Sequence, residues 1–393
     1  MAIQSVHATA VRIPLRRATR MATRDLGARD YLLIEVRCSD TEAVGTGYAY
    51  AGTSGGPLLA EAAIGVLAPL LVGTDGDDIH THWERMYQES LLAGRRGAVI
   101  RALSAVDIAL WDLSAKRRRI PLAAMLGGSP RRAVPAYASG GYYRPDDGDW
   151  AHAVSAEIAY NTSLGFTDHK IKVGGLTVAE DARRVAAAVE VLEPGGRLAL
   201  DANNAYRSVP EALRAIRAFE EASGSAGLWW VEEPLSPEDV AGHARLTRTV
   251  ETAIATGEIH QTRWDFRRLL DAEAVDIVQP DVGVVGGITE WLRVARMAEG
   301  YGVAIAPHWH ANAHAPLAAA VPGCIGVEHF ALDKDIYNFE RLLTSESRLI
   351  CSAGAIVPDA AAPGLGVTLD VDAVASFTIG TSVIPARTQD RRD

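Results

Sequence analysis

The sequence predicts an α/β barrel with an α+β domain in front of it. The chain has 393 residues, about twice the usual domain length, which leaves room for a barrel and one further layer. After residue 132 one pattern recurs eight times: a short apolar run, a polar residue at its end, and a helix-length segment rich in Ala, Leu and Arg. Eight alternating strands and helices indicate a (β/α)8 barrel. No G-x-G-x-x-G turn follows any of the runs, which disfavours a doubly wound sheet.

Residues 1–130 are predicted to form the α+β domain. Apolar stretches separated by turn signals indicate an antiparallel meander near the amino terminus. The predicted strands are Ile3–Ile13, Tyr31–Val36 and Gly45–Tyr50. Apolar residues at helical spacing follow from Pro57 to Gly127. The breaker sequence at 127–130 ends this region, and we place the domain boundary there.

Residues 131–358 are predicted to form the barrel, because all eight apolar runs fall within them. The runs are Val134–Ser139, His169–Val173, Leu198–Asp201, Leu228–Glu232, Ile254–Glu258, Ile277–Pro280, Val303–Pro307 and Ile325–Glu328. Residues 359–393 are rich in Ala, Gly and Val and contain one strand-like segment, Gly366–Leu369. We expect this tail to pack back on the first domain.

Composition excludes several classes of protein. Hydrophobic residues make up 48% of the chain and charged residues 22%, which excludes a disordered or fibrous protein. The net charge is −10 and basic clusters are short, so we expect binding neither to nucleic acid nor to a membrane. Cys38, Cys324 and Cys351 are too few and too scattered for a disulfide framework or a zinc site. Without an export signal or an apolar stretch long enough to span a bilayer, we expect a cytoplasmic protein.

Three carboxylates end consecutive predicted strands. Asp201, Glu232 and Glu258 lie about one strand–helix unit apart, and a barrel places the carboxyl ends of its strands around one active site. Three converging negative charges require a cation, and an all-oxygen ligand set favours Mg²⁺, with Mn²⁺ possible. Glu328 ends the eighth run and could place a further carboxyl group against a substrate oxygen.

Two lysines and one histidine are candidate acid–base groups. Lys170 and Lys172 lie on one face of the second predicted strand. Two close ammonium groups disfavour each other's protonation, so we expect one of them to be a general base near neutral pH. Asp281 and His308 follow the sixth and seventh runs, and a carboxylate bonded to one imidazole nitrogen makes the other nitrogen more basic. The neighbouring histidines that could take the same role are His310 and His314.

Together these residues resemble the mandelate racemase-like subgroup of the enolase superfamily. The resemblance spans nearly the whole chain and implies a modified (β/α)7β barrel with an α+β capping domain built from the amino-terminal region and the carboxyl-terminal tail. The motifs that carry it are Ala105-x-Asp107-x-Ala109-x-Trp111-Asp112, Lys170-Ile171-Lys172, Asp201-Ala202-Asn203, Val231-Glu232-Glu233-Pro234, Gly257-Glu258, Gln279-Pro280-Asp281, Gly286-Gly287, Ala306-Pro307-His308 and Glu328. Because such relatives assemble as octamers or smaller even-numbered oligomers, we expect a homo-oligomer.

The resemblance also implies a chemistry. The three strand-end carboxylates would bind Mg²⁺, and a proton α to a substrate carboxylate would be removed, with the metal stabilising the enediolate. Lys172 would be the base on one face of the substrate, and His308 with Asp281 would be the acid or base on the other. The residues with supporting roles are Lys170, which would neutralise the carboxylate, Asn203, which would contact it or a neighbouring hydroxyl, and Glu328, which would bond the enediolate.

Two outcomes of this chemistry stay open. If one group removes the proton and the other expels the 3-hydroxyl, the chain is an acid-sugar dehydratase, a hydro-lyase that forms a 2-keto-3-deoxy acid from an aldonate or aldarate. If both groups handle the α-proton, it is a racemase or epimerase of a 2-hydroxy or amino acid. Dehydratases are the commoner members of the subgroup. A barrel that binds a sugar acid or a metal without turnover is the third possibility, and the full set of bases and ligands argues against it.

The capping domain supplies candidate specificity residues. The segments around Arg24 and Tyr48 contain several arginines and tyrosines, which suit a polyhydroxy acid, because guanidinium pairs bidentately with carboxylate. Tyr142 follows the first barrel strand and His260 follows the third ligand, so both could contact the substrate. Residues 47–56 resemble the corresponding segment of galactarate/talarate-type dehydratases.

Overall fold

The computed structural model describes residues 2–385. The strands are β1 (Ile3–Arg20), β2 (Asp25–Cys38), β3 (Val44–Tyr50), β4 (Val134–Gly140), β5 (Asp168–Lys172), β6 (Leu198–Asp201), β7 (Trp230–Glu232), β8 (Ala253–Thr256), β9 (Ile277–Val278), β10 (Ala304–Ile305), β11 (Val327–His329), β12 (Cys351–Ser352), β13 (Ala355–Ile356) and β14 (Thr378–Pro385). The helices are α1 (Gly56–Ala62), α2 (Ile79–Ala93), α3 (Ala98–Arg118), α4 (Leu122–Met125), α5 (Trp150–Ser163), α6 (Val178–Glu190), α7 (Val209–Ser223), α8 (Val240–Thr247), α9 (Thr262–Asp271), α10 (Gly287–Tyr301), α11 (Ala311–Ala320) and α12 (Val371–Phe377).

The first sheet is antiparallel, with strand order β14-β1-β2-β3. The β1–β2 hairpin is longer than the sequence predicts, because pairing resumes beyond an irregularity between Pro14 and Thr19. Its tip reaches the barrel, where the Arg20 N–H donates to the Tyr143 carbonyl at 2.8 Å and the Tyr143 N–H donates to the Arg20 carbonyl at 3.0 Å. This sheet therefore brings the loop at residues 21–24, between β1 and β2 and here called the 20s loop, to the carboxyl end of the barrel strands.

The second sheet is the barrel. Strands β4 to β10 run parallel in sequence order, and β11 pairs with the other side of β4. Between β10 and β11 the Ile325 N–H donates to the Ile305 carbonyl at 2.8 Å, which closes the ring. Among the described residues, helices α5 to α11 follow the first seven strands, whereas short 3-10 turns and the β12–β13 hairpin follow β11. The (β/α)7β barrel with a capping domain that the resemblance implies is confirmed. The eight strands that spacing predicts are present, but the eighth barrel helix of a (β/α)8 barrel is not found among residues 2–385.

Two sequence predictions need correction. The segment Gly366–Leu369 is not a strand: Gly364 and Gly366 both adopt φ near +70°, which breaks an extended run. The strand that returns to the capping sheet is β14, which pairs with β1. The fifth barrel strand ends at Thr256 because Gly257 turns the backbone with φ +138°. The domain boundaries near residues 130 and 358 stay predictions.

Helices α3 and α10 join the capping domain to the barrel. Asp107 accepts hydrogen bonds from the Thr289 N–H at 2.8 Å and from the Thr289 hydroxyl at 2.7 Å, and the Trp111 indole donates to that hydroxyl at 2.9 Å. Both domains share one continuous apolar core around this joint. Among residues 2–385, no helix combines the length and apolar character needed to cross a bilayer.

Candidate active site

The three predicted ligands converge at the carboxyl ends of adjacent strands. Asp201 ends β6, Glu232 ends β7, and Glu258 lies two residues beyond β8. One carboxylate oxygen from each lies within 4.8 Å of the others. Asp201 and Glu232 are fully buried, where three ionised carboxylates without a cation would repel one another strongly. This donor set fits a hard divalent cation such as Mg²⁺.

The pKa of Glu232 shows that the ionised carboxylate cluster needs positive charge to be stable. Burial and the neighbouring carboxylates of Asp201 and Glu258 together raise the pKa of Glu232 to about 8, against the opposing effect of Lys170. The Gln279 amide and the Trp230 indole donate to Glu232 Oε2 at 2.6 and 3.1 Å. These donors fix the orientation of the carboxylate within the cluster.

The two lysines lie where predicted, but their protonation differs from the prediction. Lys170 Nζ lies 2.8 Å from Glu232 and 2.9 Å from Glu328, and Lys172 Nζ bonds Asp201. Burial alone would lower the pKa of each lysine, yet these carboxylates hold both pKa values above the ordinary lysine range. The expectation of a lysine pKa near neutrality is therefore wrong for this arrangement of the site, because paired carboxylates outweigh the repulsion between the ammonium groups.

His308 and Asp281 form the predicted pair. His308 Nδ1 lies 2.8 Å from Asp281 Oδ2, and Nε2 faces the cluster, 3.4 Å from Glu258. Burial lowers the pKa of His308, but Glu258, Asp281 and Glu328 raise it to about 9. The imidazole is therefore cationic near neutral pH in this arrangement.

The two neighbouring histidines are held elsewhere. His310 Nδ1 lies 3.1 Å from the Tyr337 hydroxyl, and His314 Nε2 accepts the Val282 N–H at 3.0 Å. Burial lowers the pKa of His310 to about 4 and that of His314 to about 3. Of these three histidines, it is His308 whose ring nitrogen lies against Glu258.

Glu328 and Asn203 also lie at the cluster. Besides its contact with Lys170, Glu328 accepts the Trp309 N–H at 2.7 Å. The Asn203 N–H donates to Asp201 Oδ1 at 2.9 Å, and its backbone adopts φ +44°. The Asn203 side-chain oxygen is buried without a hydrogen-bond partner among the described residues, which leaves an acceptor free for a substrate hydroxyl.

The four predicted specificity residues occupy different surroundings. The Tyr142 ring lies 5.1 Å from Lys172 Nζ, beside the candidate base. Tyr48 is fully buried and stacks on Phe339, so the structure places it in aromatic packing. Arg24 is exposed in the 20s loop. His260 is buried beside Phe266, at the wall of a cavity described below.

Sequence analysis assigned no role to two residues that the structure brings to the site. One of them is Gln279, which donates to Glu232 as described above. Its position directly before Pro280 and Asp281 could have identified it as a site residue. Arg101 lies on α3 among Val99, Ile100, Ala102 and Leu103, and its charge lies close enough to Asp281 and Glu258 to be influenced by both. Arg101 could have been identified from the sequence because it is a single arginine within an apolar helical stretch.

Comparison with known families identifies the chain. Residues 3–127 match the mandelate racemase / muconate lactonizing enzyme N-terminal domain, and residues 153–374 match the family described as enolase C-terminal domain-like. The protein belongs to the enolase superfamily. Both matches lie on the elements described above, the first on the capping sheet and helices α1 to α4, the second on most of the barrel.

Several enolase-superfamily relatives cover most of the chain. It is 36% identical over 311 residues to an arabinonate dehydratase of Saccharolobus solfataricus, covering 77% of this chain and 79% of that protein. It is 34% identical to a 3,6-anhydro-alpha-L-galactonate cycloisomerase of Streptomyces coelicolor, covering 96% and 100%. The solved L-talarate/galactarate dehydratase of Salmonella typhimurium LT2, liganded with Mg and L-lyxarohydroxamate, superposes with a TM-score of 0.87 at 30% identity, covering 98% and 95%.

Proposed function

We propose that this enolase-superfamily protein is an Mg²⁺-dependent acid-sugar dehydratase. It removes the proton α to a carboxylate and expels the 3-hydroxyl as water, which gives a 2-keto-3-deoxy acid. The observation that carries the proposal is geometric: the Lys172 amine contacts the carboxylate cluster at Asp201, and the His308 imidazole, bonded to Asp281, faces the cluster at Glu258. The similarity of the chain to an arabinonate dehydratase and to an L-talarate/galactarate dehydratase supports the proposal.

The roles of the side chains follow from their contacts. When bound by Asp201, Glu232 and Glu258, Mg²⁺ supplies the positive charge that makes the proton next to the substrate carboxylate acidic. Lys172 accepts that proton at Nζ as the neutral amine, the form that it can reach once Asp201 no longer stabilises its ammonium charge. His308 holds a proton at Nε2 and delivers it to the departing hydroxyl.

The proton and electron balance of the reaction is closed by these two groups. The C2–H bond breaks and its electron pair moves into the substrate carboxylate, which gives the enediolate. That pair then forms the C2–C3 double bond as the C3–O bond breaks and His308 protonates the leaving oxygen. Water leaves, and the resulting enol becomes the 2-keto acid when C3 takes up one proton and the C2 hydroxyl releases one. Lys170 and Glu328 hold each other at 2.9 Å and would orient the substrate carboxylate.

A racemase or epimerase that uses the same two groups is the second candidate. Its support is the cycloisomerase among the relatives. In that case His308 would return a proton to C2 from the opposite face and no water would be lost. The cationic state of His308 serves either reaction, so the products must distinguish them.

Proton NMR of C4 to C6 mono- and diacid sugars with protein and Mg²⁺ in D2O separates the candidates. Loss of the C2 signal with new methylene resonances at C3 is the expected result. Exchange at C2 without methylene resonances would favour the isomerase. Absence of both signals with every acid would contradict the proposed dehydratase.

Two variants test the assignment of the groups. Lys172→Ala and His308→Asn should each abolish formation of the 2-keto-3-deoxy acid while the protein stays folded by circular dichroism. His152→Asn is the matched control for the histidine, because His152 is exposed on α5. Full activity in either active-site variant would overturn the role of that residue.

Assembly into an even-numbered homo-oligomer stays a proposal. Light scattering on the eluate of a size-exclusion column measures it directly, and a monomer of 41.9 kDa would contradict it.

A further inference from the structure

A cavity lies beside the third predicted metal ligand. It encloses about 250 Å³ between the first turn of α3, the loop after β7 and the loop that carries Glu258. The ionisable side chains that line it are Arg96, Arg101, Glu238, His260, Asp265 and Arg268. Ile259 and His260 line it and directly follow Glu258 in sequence, so the cavity adjoins the loop that carries the third predicted ligand.

The arginines of this cavity differ in their partners. Arg96 lies 3.2 Å from Glu238 and also pairs with Asp265, and Arg268 pairs with Asp265 as well. Arg101 has no carboxylate within 4.0 Å among residues 2–385; its Nη1 donates to the Tyr50 carbonyl at 3.0 Å. A guanidinium held by a single neutral carbonyl has N–H donors left for an anion.

The charge of Arg101 interacts with two carboxylates near the proposed catalytic groups. Burial lowers the pKa of Arg101, and Asp281, Tyr50 and Glu258 act against that effect. The Arg101 guanidinium therefore lies within electrostatic reach of Asp281, the partner of His308, and of Glu258, the third predicted ligand. Among the described residues it forms no ion pair with either of them. This charge can attract a second anionic group of a substrate whose first carboxylate occupies the metal site.

His260 provides an independent sign of a ligand. Its side chain is buried, with a relative exposure of 7%, and its Nδ1 has no hydrogen-bond partner among the described residues. A buried imidazole nitrogen without a partner is costly unless another group bonds it. Because His260 lines the cavity with Arg101, a hydroxyl group next to a bound carboxylate would satisfy it.

We propose that this cavity binds the far end of the substrate and that Arg101 pairs with a second carboxylate there. The substrate is then an aldarate, an acid sugar with a carboxylate at each end, and not an aldonate. His260 bonds the hydroxyl next to the far carboxylate. This inference rests on the proposed dehydratase function and narrows its substrate class.

The test compares pairs of acids that differ at one end. Each aldarate is assayed beside the aldonate of the same configuration, which carries a hydroxymethyl group in place of the far carboxylate; galactarate and galactonate are one such pair. The wild-type enzyme should show the lower KM for the aldarate. Arg101→Met should raise the KM for the aldarate by about 10- to 100-fold, the range expected for a lost charged hydrogen bond, and leave the KM for the aldonate nearly unchanged.

Two further variants keep the test decisive. Arg101→Lys retains the charge but loses the two-pronged geometry, so its KM for the aldarate should be intermediate. If Arg101→Met does not fold, Arg101→Gln takes its place. Arg296→Met is the matched control, since Arg296 is 63% exposed on α10 and pairs with Glu299.

The outcomes separate the two proposals. A wild-type enzyme that acts on no acid sugar overturns the dehydratase function and this inference with it. An active enzyme that prefers aldonates, or whose Arg101 variants lose the same factor for both acids, overturns the inference alone. Selective loss on the aldarate supports it, because a merely structural role for Arg101 would affect both acids equally.

Discussion

At the scale of single residues, Asp281 controls the state of His308. Its carboxylate is fully buried and lies 2.8 Å from the imidazole. Burial would raise the pKa of Asp281, but the surrounding histidines, His310 and His308 first among them, hold it at about 2. Asp281 therefore stays ionised at working pH and stabilises the proton that His308 delivers.

Replacing that charge is a direct test of the pair. Asp281→Asn keeps the shape of the side chain and removes its charge. His308 then loses the carboxylate that orients it and one of the three carboxylates that raise its pKa. We expect kcat to fall by about 10²- to 10⁴-fold, as for other carboxylate–histidine pairs, with a much smaller change in KM. Steady-state kinetics measures both constants.

The control for this variant lies on the surface. Asp271→Asn makes the same chemical change at a residue that is 49% exposed and pairs with Arg267. Its kcat should equal that of the wild type. Wild-type kcat in Asp281→Asn would show that His308 acts without its partner.

The ligands and bases were predictable from sequence for a geometric reason. In a barrel, the ends of successive strands meet, so Asp201, Glu232 and Glu258 could be brought together from spacing alone. The protonation state of Lys172 could not be predicted in this way, because it depends on contacts with carboxylates that spacing does not reveal. Arg101 was missed since it reaches the site from a helix of the capping domain.

At the scale of elements, the α3–α10 joint fixes the capping domain over the barrel. Gly287 opens α10 with φ +83°, and a Cβ there would lie 2.4 Å from Asp107 Oδ2. Asp107 in turn bonds Thr289, as described above. The joint therefore needs glycine at 287 both for backbone conformation and for the close approach of the two helices.

Gly287→Ala tests this joint. The strained backbone and the clash with Asp107 should lower the free energy of unfolding by at least about 2 kcal/mol. Denaturant unfolding measures the change. Gly300→Ala in the same helix is the control: its Cβ would meet nothing within 4 Å, so stability should be unchanged or rise by about 0.5–1 kcal/mol.

Regular elements were easier to predict than their ends. The barrel strands were located because apolar runs recur with helices between them. The prediction of a strand at 366–369 was wrong because the strand preference of its Val, Thr and Leu residues was given more weight than the two glycines, Gly364 and Gly366, that turn the chain. The strand β14 was missed because its burial alternates between half-buried and exposed residues, which leaves little apolar signal.

At the scale of the whole molecule, stability should depend on pH through buried acids. Glu340 is 4% exposed and its carboxylate oxygens have no hydrogen-bond partner among the described residues. Burial raises its pKa to about 8 from an ordinary value of 4.5. A raised pKa means that the folded state favours the neutral acid, so this contribution is complete below pH 4.5 and is lost as the pH rises through about 8.

Melting curves between pH 5 and 9 test this dependence. The melting temperature should fall as the pH rises, with a contribution from Glu340 of a few kcal/mol at most, about 1.4 kcal/mol for each pKa unit. Glu340→Gln should flatten the curve over that range, because glutamine does not ionise. The exposed neighbour Glu346 provides the control, and Glu346→Gln should leave the slope as it is in the wild type.

Metal removal affects the whole molecule as well as its activity. Without a cation, Lys170 and Lys172 neutralise part of the cluster through the contacts described above, so the EDTA-treated protein should stay folded but inactive. Mg²⁺ binds the folded cluster and should raise the free energy of unfolding with its concentration, by about 2.7 kcal/mol at 100 times Kd. Glu258→Gln should lose both the activity and this dependence on Mg²⁺, whereas Asp271→Asn should keep them. Activity that survives EDTA, or a melting temperature indifferent to Mg²⁺ in the wild type, would contradict a metal site at these carboxylates.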